Sequence, residues 1–458
     1  MDSNRPVVLA EEMRAQGVAL RKKMPRRRHA DLTLPDRDVI AIMEDQNATR
    51  IPDLVPVRVG RMLQSPFSLY RGSAAMMAYD LADAPCTDVE VISCGDAHVS
   101  NFGLFATPER TLIFDLNDFD EASNAPWEWD VKRLAASAFI GALDAGIRSR
   151  TAKDIALASV KSYRKTITMM MDMQALHRYY YRGETSWLQA TLDSKTQQLI
   201  RQTRSKAERN TSDRMLDKIE FEYSDGHLCI VEEPPIMRHD PTLTPESTAE
   251  LLREYLKTVR ADIAVLLSQF TSIDSVLRVV GVGSVGTHCY IQLMMGPRHE
   301  PFFLQIKEAQ ASVLDTYGKR PSIIHDQAVG DRKGLNGFRV ISGQRILQAA
   351  SDPFLGHFEA NGRDYYVRQF RDMKGSFDLS LFKAGQFTQY AALCGALLAR
   401  AHSQSPAANV IAGYLGDSER FDEAVADWAV AYADVVQKDF ETLEAAVKSG
   451  RLPAERGV

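Results

Sequence analysis

The sequence predicts an α+β fold in two lobes, a large helical lobe and a small one rich in antiparallel strands. Three observations predict it. Apolar residues recur at helical spacing over 129–145, 150–215, 384–403 and 419–448. Between them, 276–310 and 354–371 carry strand periodicity broken by Gly- and Pro-containing turns. No internal repeat or low-complexity tract interrupts this pattern.

Residues 1–60 read as a peripheral N-terminal segment. They carry the basic run RKKMPRRRH at 21–29 and then a polar, proline-containing stretch. Such a run is either a solvated face or an arm for phosphate or a partner. Residues 61–270 read as the part of the large lobe that holds the chemistry, with a helical insertion. Strands are predicted at 89–93, 102–105 and 111–116, and helices at 74–81 and 129–145. Residues 150–215 have almost no Gly or Pro and read as helix. KIEFEY and HLCIVEE flank Ser224-Asp225-Gly226, a hairpin signal. After a linker with four prolines at 233–245, Thr244 offers an N-cap and Pro245 suits the first helical position, predicting a helix to about 270. Residues 271–375 read as the small β-rich lobe. It contains one helix, at 338–351, and two strands around Asn361-Gly362. Residues 376–458 supply the C-terminal helices that complete the large lobe.

Composition excludes several function classes. The 458 residues hold 55 Lys and Arg against 60 Asp and Glu, a net charge of −5. Bulk nucleic-acid binding goes with a strong basic excess, which is absent. With 45% apolar residues the chain has ample surface to bury and is not expected to be disordered. A membrane span needs roughly 20 apolar residues, and the longest stretches, such as 135–143, are short. The N-terminus lacks the apolar core of a signal peptide. Five scattered cysteines with no CxxC pair suit reduced thiols. Together these predict a cytoplasmic protein. Nothing in the sequence speaks to oligomeric state.

Three motifs carry chemistry. In Cys94-Gly95-Asp96-Ala97-His98-Val99-Ser100-Asn101, an Asp precedes an Asn by five positions. That is the spacing of a phosphotransferase loop, where the carboxylate orients a hydroxyl and the amide oxygen holds a metal ion. His98 reads as a hydrogen-bonded loop residue. In Ile113-Phe114-Asp115-Leu116-Asn117-Asp118-Phe119-Asp120, an apolar run ends in a carboxylate cluster. In kinases a metal-binding Asp follows the catalytic loop after a hairpin of about this size, so Asp115 is the first choice and Asp118 the second. Mg²⁺ takes hard oxygen ligands, with ATP supplying the rest. The third motif is Gly281-Val282-Gly283-Ser284-Val285-Gly286. A dinucleotide fingerprint opens a helix, whereas here an alternating strand follows, then a turn, then a strand ending near Lys307. That layout suits a kinase phosphate-covering loop, with Gly281, Gly283, Ser284 and Gly286 over the phosphates and Lys307 neutralising them.

The order of these motifs differs from a typical kinase. The Asp96 loop precedes the Gly-rich turn, and the helix AALCGALLARAH, which normally leads into the catalytic loop, comes last. The sequence therefore predicts a protein-kinase-like two-lobe fold, circularly permuted. The 276–310 hairpins should roof a cleft floored by 94–120, with Lys307 facing the Asp96–Asp115 rim. The helix ending near His402 should lie beneath the Asp96 loop. One feature departs from kinases: the helix FRVISGQRILQAA offers no Glu to pair with Lys307, leaving Gln344, Gln348 or Glu308 as substitutes.

The strings RMLQSPFSLYRGSAAMMAYDLA, CGDAHVSNFG, GQRILQAASDPFLG and YYVRQFRDMKGS, with FDLNDFDEA running into PWEWDVKRLAAS, resemble the bacterial family called domain of unknown function 2252. The resemblance spans nearly the whole chain and implies no substrate. The shorter motifs around Asp96–Asn101 and Phe114-Asp115 are similar to those of aminoglycoside-phosphotransferase-type small-molecule kinases. That similarity implies that Asp130 braces the catalytic loop.

The function expected is an ATP- and Mg²⁺-dependent phosphotransferase acting on an acceptor hydroxyl of a small molecule or protein. Asp96 would position or deprotonate the hydroxyl, Asn101 and Asp115 (or Asp118) would hold metal, and Lys307 with the Gly-rich turn would hold phosphates. The missing Glu favours a nucleotide-binding pseudokinase as the alternative. Nucleotidyl transfer would use the same residues with ATP turned around. Tyr70, Arg71 and the Trp127–Trp129 pair belong either to a substrate site or to packing.

Overall fold

Two long helices, Ser149–Met171 and Ala384–His402, pack side by side and form the base of the main hydrophobic core. Gly395 makes their close approach feasible, because a Cβ there would lie 2.0 Å from the Ser159 carbonyl oxygen. Gly395→Ala should therefore push the helices apart. The expected cost is about 1–3 kcal/mol, the range for overpacking, read as a lower thermal unfolding midpoint. An unchanged midpoint would mean that the contact yields freely.

The computed structural model describes residues 8–182, 194–208, 221–224, 227–279, 281–322, 335–370 and 374–457. The turn at Asp225-Gly226, residue Val280, residues 371–373 of the last motif and parts of the 150–215 insertion lie outside these residues. The architecture is mixed helix and sheet, α+β. None of the described helices is long and apolar enough to cross a membrane.

On the helical base lie four short strands: β1 (Glu90–Ser93), β2 (Phe102–Ala106), β3 (Leu112–Leu116) and β4 (Ser123–Pro126). β1 pairs with β4 and β2 with β3, both antiparallel. The helix Trp127–Asp144 follows directly and is buried along nearly its whole length. Its charged residues find partners inside. Glu128 accepts from the Thr87 amide at 2.6 Å, and the Lys132 ammonium sits 4.7 Å over the Trp428 ring. Trp127 and Trp129 are also buried, with Trp127 stacked on Tyr163. The tryptophan pair therefore belongs to packing, not to a substrate site.

A two-stranded hairpin, β5 (Phe221–Ser224) and β6 (His227–Ile230), precedes β7 (Met237–Arg238), β8 (Thr271–Arg278), β9 (Cys289–Met295), β10 (Pro301–Glu308), β11 (Gly356–Ala360) and β12 (Arg363–Gln369). The last six form one antiparallel sheet in the order β11-β12-β10-β9-β8-β7. β9 and β10 are buried on both faces, which explains their long apolar runs. One face packs against Tyr255, Ile263 and Leu267. The helix predicted from 245 to about 270 is in fact two, Pro245–Leu256 and Ala261–Leu267. Between them Thr258 bonds to the backbone of His357 on β11, which takes the chain out of the helical path.

The N-terminal segment is not peripheral. From Val39 onward its apolar residues enter the core, and Met43, Val57 and Val59 are fully buried. The basic run is divided: Lys22, Lys23, Arg27 and Arg28 are exposed, as a solvated face would be, while Arg21 and Arg26 turn inward. Arg21 donates to the carbonyls of Gly413 and Tyr414, and Arg26 to that of Leu415, capping the helix Ala408–Leu415. Cations are favoured at a helix C-terminus, where carbonyls lack partners.

Candidate active site between the six-stranded sheet and the Asp96 loop

β1 delivers the chain to Asp96 through Gly95, which adopts φ +75°. A Cβ at Gly95 would lie 2.4 Å from the Glu121 carbonyl, so this turn needs glycine twice over. Asp130 braces the loop, accepting from the amides of Cys94 at 2.8 Å and Gly95 at 3.1 Å. His402, the last residue of the helix Ala384–His402, lies with Nε2 3.1 Å from Asp130. Ser405 accepts from the Ile92 amide at 2.9 Å. The helix near His402 thus lies beneath the Asp96 loop.

Arg133 fixes one oxygen of Asp96, donating from Nε at 2.8 Å and lying 2.7 Å away through Nη2. The guanidinium is itself held over the Tyr70 ring at 4.1 Å and by the Tyr70 carbonyl. Tyr70 is therefore a buried support for Arg133 and not a lining residue. Burial pushes the Asp96 carboxyl up to about 6, against the pull of Arg133. Asn101, the other metal ligand the sequence predicts, donates to the Asp96 carbonyl at 2.8 Å and lines neither large cavity. His98 is buried and accepts from the Ser100 amide, so it serves the loop and is held neutral by burial, Arg71 and Arg133.

The carboxylate cluster divides by depth. Asp115 is 1% exposed. Its oxygens accept from the amides of Leu116 at 2.9 Å and Ala349 at 2.7 Å, tying β3 to the end of the helix Asn336–Leu347. It lines neither large cavity. The first choice for a metal ligand is therefore corrected: closing the apolar strand buries Asp115 instead of presenting it. Asp118, the second choice, lines both cavities.

Lys307 descends from β10, 2% exposed, and reaches Asp120 at 2.5 Å. Asp120 also accepts from the hydroxyls of Tyr366 at 2.5 Å and Ser284 at 3.4 Å. Burial opposes ionisation of Asp120, but Lys307 and these bonds hold it below the usual carboxylate range. The Lys307 partner is thus a floor residue that the sequence reading did not single out. None of the three proposed substitutes takes that place. Gln344 donates to Gln348, Gln348 to the Leu116 carbonyl, and Glu308 pairs with His288.

The Gly-rich segment is a turn between β8 and β9, with Gly281 and Gly286 at φ +63° and +87°. It is tied to the N-terminal segment: Ile51 donates to the Gly286 carbonyl at 2.7 Å, Arg50 to that of Val285 and Arg61 to that of Gly281. Ser284 lines two cavities that meet there and at Asp118. One, of about 990 Å³, runs beside Lys307, Gln305, Arg368 and Phe370. The other, of about 1140 Å³, holds Asp96, Asp120, Glu121 and Arg71. In the latter, burial raises the Glu121 carboxyl to about 7, with Asp120 and Asp96 adding to the effect.

Among the described residues no group of three or more His, Cys, Asp or Glu is arranged to hold a resident metal ion. Asp118 alone, exposed to both cavities, fits a different case. Mg²⁺ is commonly bound by one or two carboxylates plus substrate phosphates and water.

Over residues 50–446 the chain matches the family described as "Uncharacterized protein conserved in bacteria (DUF2252)". No curated protein and no solved structure matches it.

Proposed function

This chain belongs to that bacterial family, and we propose that it is an ATP- and Mg²⁺-dependent phosphotransferase, built on a circularly permuted protein-kinase-like arrangement and acting on an acceptor hydroxyl. The observation that carries the reading is the meeting of Lys307 with Asp120, 187 positions away, at the junction of the two cavities. Two unrelated domains would give these residues no reason to meet. The order of elements supports it too. After Lys307 come a helix, β11, β12 and the helix Ala384–His402, which ends under the Asp96 loop. In an unpermuted kinase that helix would run straight into the loop.

On this reading the nucleotide occupies the cavity beside Lys307, Gln305 and Arg368, and the acceptor occupies the one beside Asp96. The Gly281–Gly286 turn and Ser284 cover the phosphates, and Lys307 contacts them. Asp118 would hold Mg²⁺ carried in on the nucleotide, where the ion neutralises phosphate charge, while Asn101 holds the shape of the Asp96 loop. Asp96 has one oxygen fixed by Arg133 and offers the other to a hydroxyl.

The metal assignment gives a direct test. In titrations of ATP, affinity should fall when Mg²⁺ is chelated. Asp118→Asn should abolish that difference in a folded protein, whereas Asp115→Asn should keep it and instead lower stability. Retained metal dependence in Asp118→Asn would remove this residue from the site. No ATP binding under either condition would remove the phosphotransferase reading itself.

A further inference from the structure

The cavity beside Asp96 contains three guanidinium groups that the reading above does not use: Arg50, Arg58 and Arg71. Each has a buried Nε with no hydrogen-bond partner. Arg58 is fully buried and donates only to neutral oxygens, Asn47 at 2.6 Å and Gln46 and Gly72 at 3.2 Å. Arg50 donates to the Val285 carbonyl. Arg71 lies against the Phe67 ring at 6.0 Å. Among the described residues none of the three forms an ion pair with a carboxylate.

Three other arginines in this protein are held by carboxylates. Arg37 pairs with Asp80 and Asp439, Arg133 with Asp96, and Arg164 with Asp422. Two buried arginines likewise form no carboxylate ion pair among the described residues: Arg339 lines neither large cavity and spends its N–H groups on the carbonyls of Ala122, Asp120 and Gln310, and Arg400, whose Nε is also unpartnered, donates to the Leu347 carbonyl and faces only a cavity of about 20 Å³. A buried cation without a counter-charge is costly. Carboxylates of the same cavity pull on the other two without bonding to them, Glu121, Glu308 and Asp120 on Arg50 and Asp96 on Arg71, whereas Arg58 has only neutral partners, and burial with the repulsion of Arg50 lowers its basicity.

We propose that Arg50, Arg58 and Arg71 form a binding site for a phosphate group, and that this phosphate belongs to the acceptor. Guanidinium forks match phosphate oxygens in geometry and charge. The assignment to the acceptor rests on the phosphotransferase reading, because the site shares its cavity with Asp96. The substrate class is then a phosphorylated molecule that carries a free hydroxyl.

The test titrates inorganic phosphate and pyrophosphate into the full chain, with and without a non-hydrolysable ATP analogue and Mg²⁺. Arg71→Ala should weaken phosphate binding roughly 10- to 100-fold, the range for one charge-assisted hydrogen bond. Arg71→Lys should recover part of it. Circular dichroism checks that each variant folds. Wild-type protein that binds neither probe, or an Arg71→Ala variant that binds them unchanged, overturns the site. Phosphate that still binds beside the ATP analogue supports the acceptor. Displacement by the analogue, with weaker analogue binding in Arg71→Ala, overturns that assignment and gives the phosphate to the nucleotide. Phosphate binding that depends on Arg71 in a protein that never binds the analogue would keep the anion site and sink the phosphotransferase.

Discussion

Asp96→Ala should retain ATP binding and lose roughly 10²–10⁴-fold in phosphoryl transfer, the usual contribution of a positioned base. The geometry separates the two readouts. Asp96 lines the cavity with the arginines and not the one beside Lys307, so nucleotide affinity should not move. Transfer can be followed as Mg²⁺-dependent ATP consumption or autophosphorylation without knowing the acceptor. The wild-type rate should also carry an acid limb. With the Asp96 carboxyl raised to about 6 by burial, its ionised form is lost as pH falls through that value, and the rate should fall with it. A variant that keeps full activity, or an acid limb that persists in Asp96→Ala, would remove Asp96 from the chemistry.

Much of this site was legible because its motifs obey local rules. Gly95 and Asp96 follow a strand, Asp130 opens the next helix, and Lys307 ends a strand after a Gly-rich turn. Each is fixed by a few neighbouring residues and a periodicity that sequence displays. The errors were errors of depth. Asp115 and Asp118 are three positions apart in one acidic run, and nothing local says that the amide of Ala349 will claim Asp115. The sequence also could not say that residues 38–60 bring Arg50 and Arg58 to the cavity wall, since that depends on packing against elements far along the chain. Within the basic run at 21–29, the inward turn of Arg21 was hidden for the same reason: its partners are carbonyls nearly 400 positions away. Asp120 had one available signal. It stands two residues beyond Asp118 in a loop, close enough to share the rim.

Breaking the Lys307–Asp120 pair should be the most damaging single change to stability. Lys307→Met leaves the Asp120 carboxylate without its cation, and Asp120→Asn leaves a buried ammonium facing an amide. Removal of one partner from a buried pair costs roughly 3–5 kcal/mol. Asp120 keeps 27% of its side chain exposed and retains Tyr366 and Ser284, so Lys307→Met should fall at the low end of that range. The Lys307 side chain is only 3% exposed, so Asp120→Asn should fall higher. The double variant Lys307→Met/Asp120→Asn should recover most of the loss, because no unpaired charge is left; equal losses in single and double variants would deny the coupling. The pair also has a functional reading that stability alone does not test. If Lys307 exists to meet phosphates, Asp120 occupies it only while the cleft is empty. ATP with Mg²⁺ should then raise the unfolding midpoint of Asp120→Asn by more than it raises that of the wild type, since the phosphates supply the missing anion. An equal rise would make the pair purely structural. A smaller rise would put Asp120, together with Asp118, on the metal.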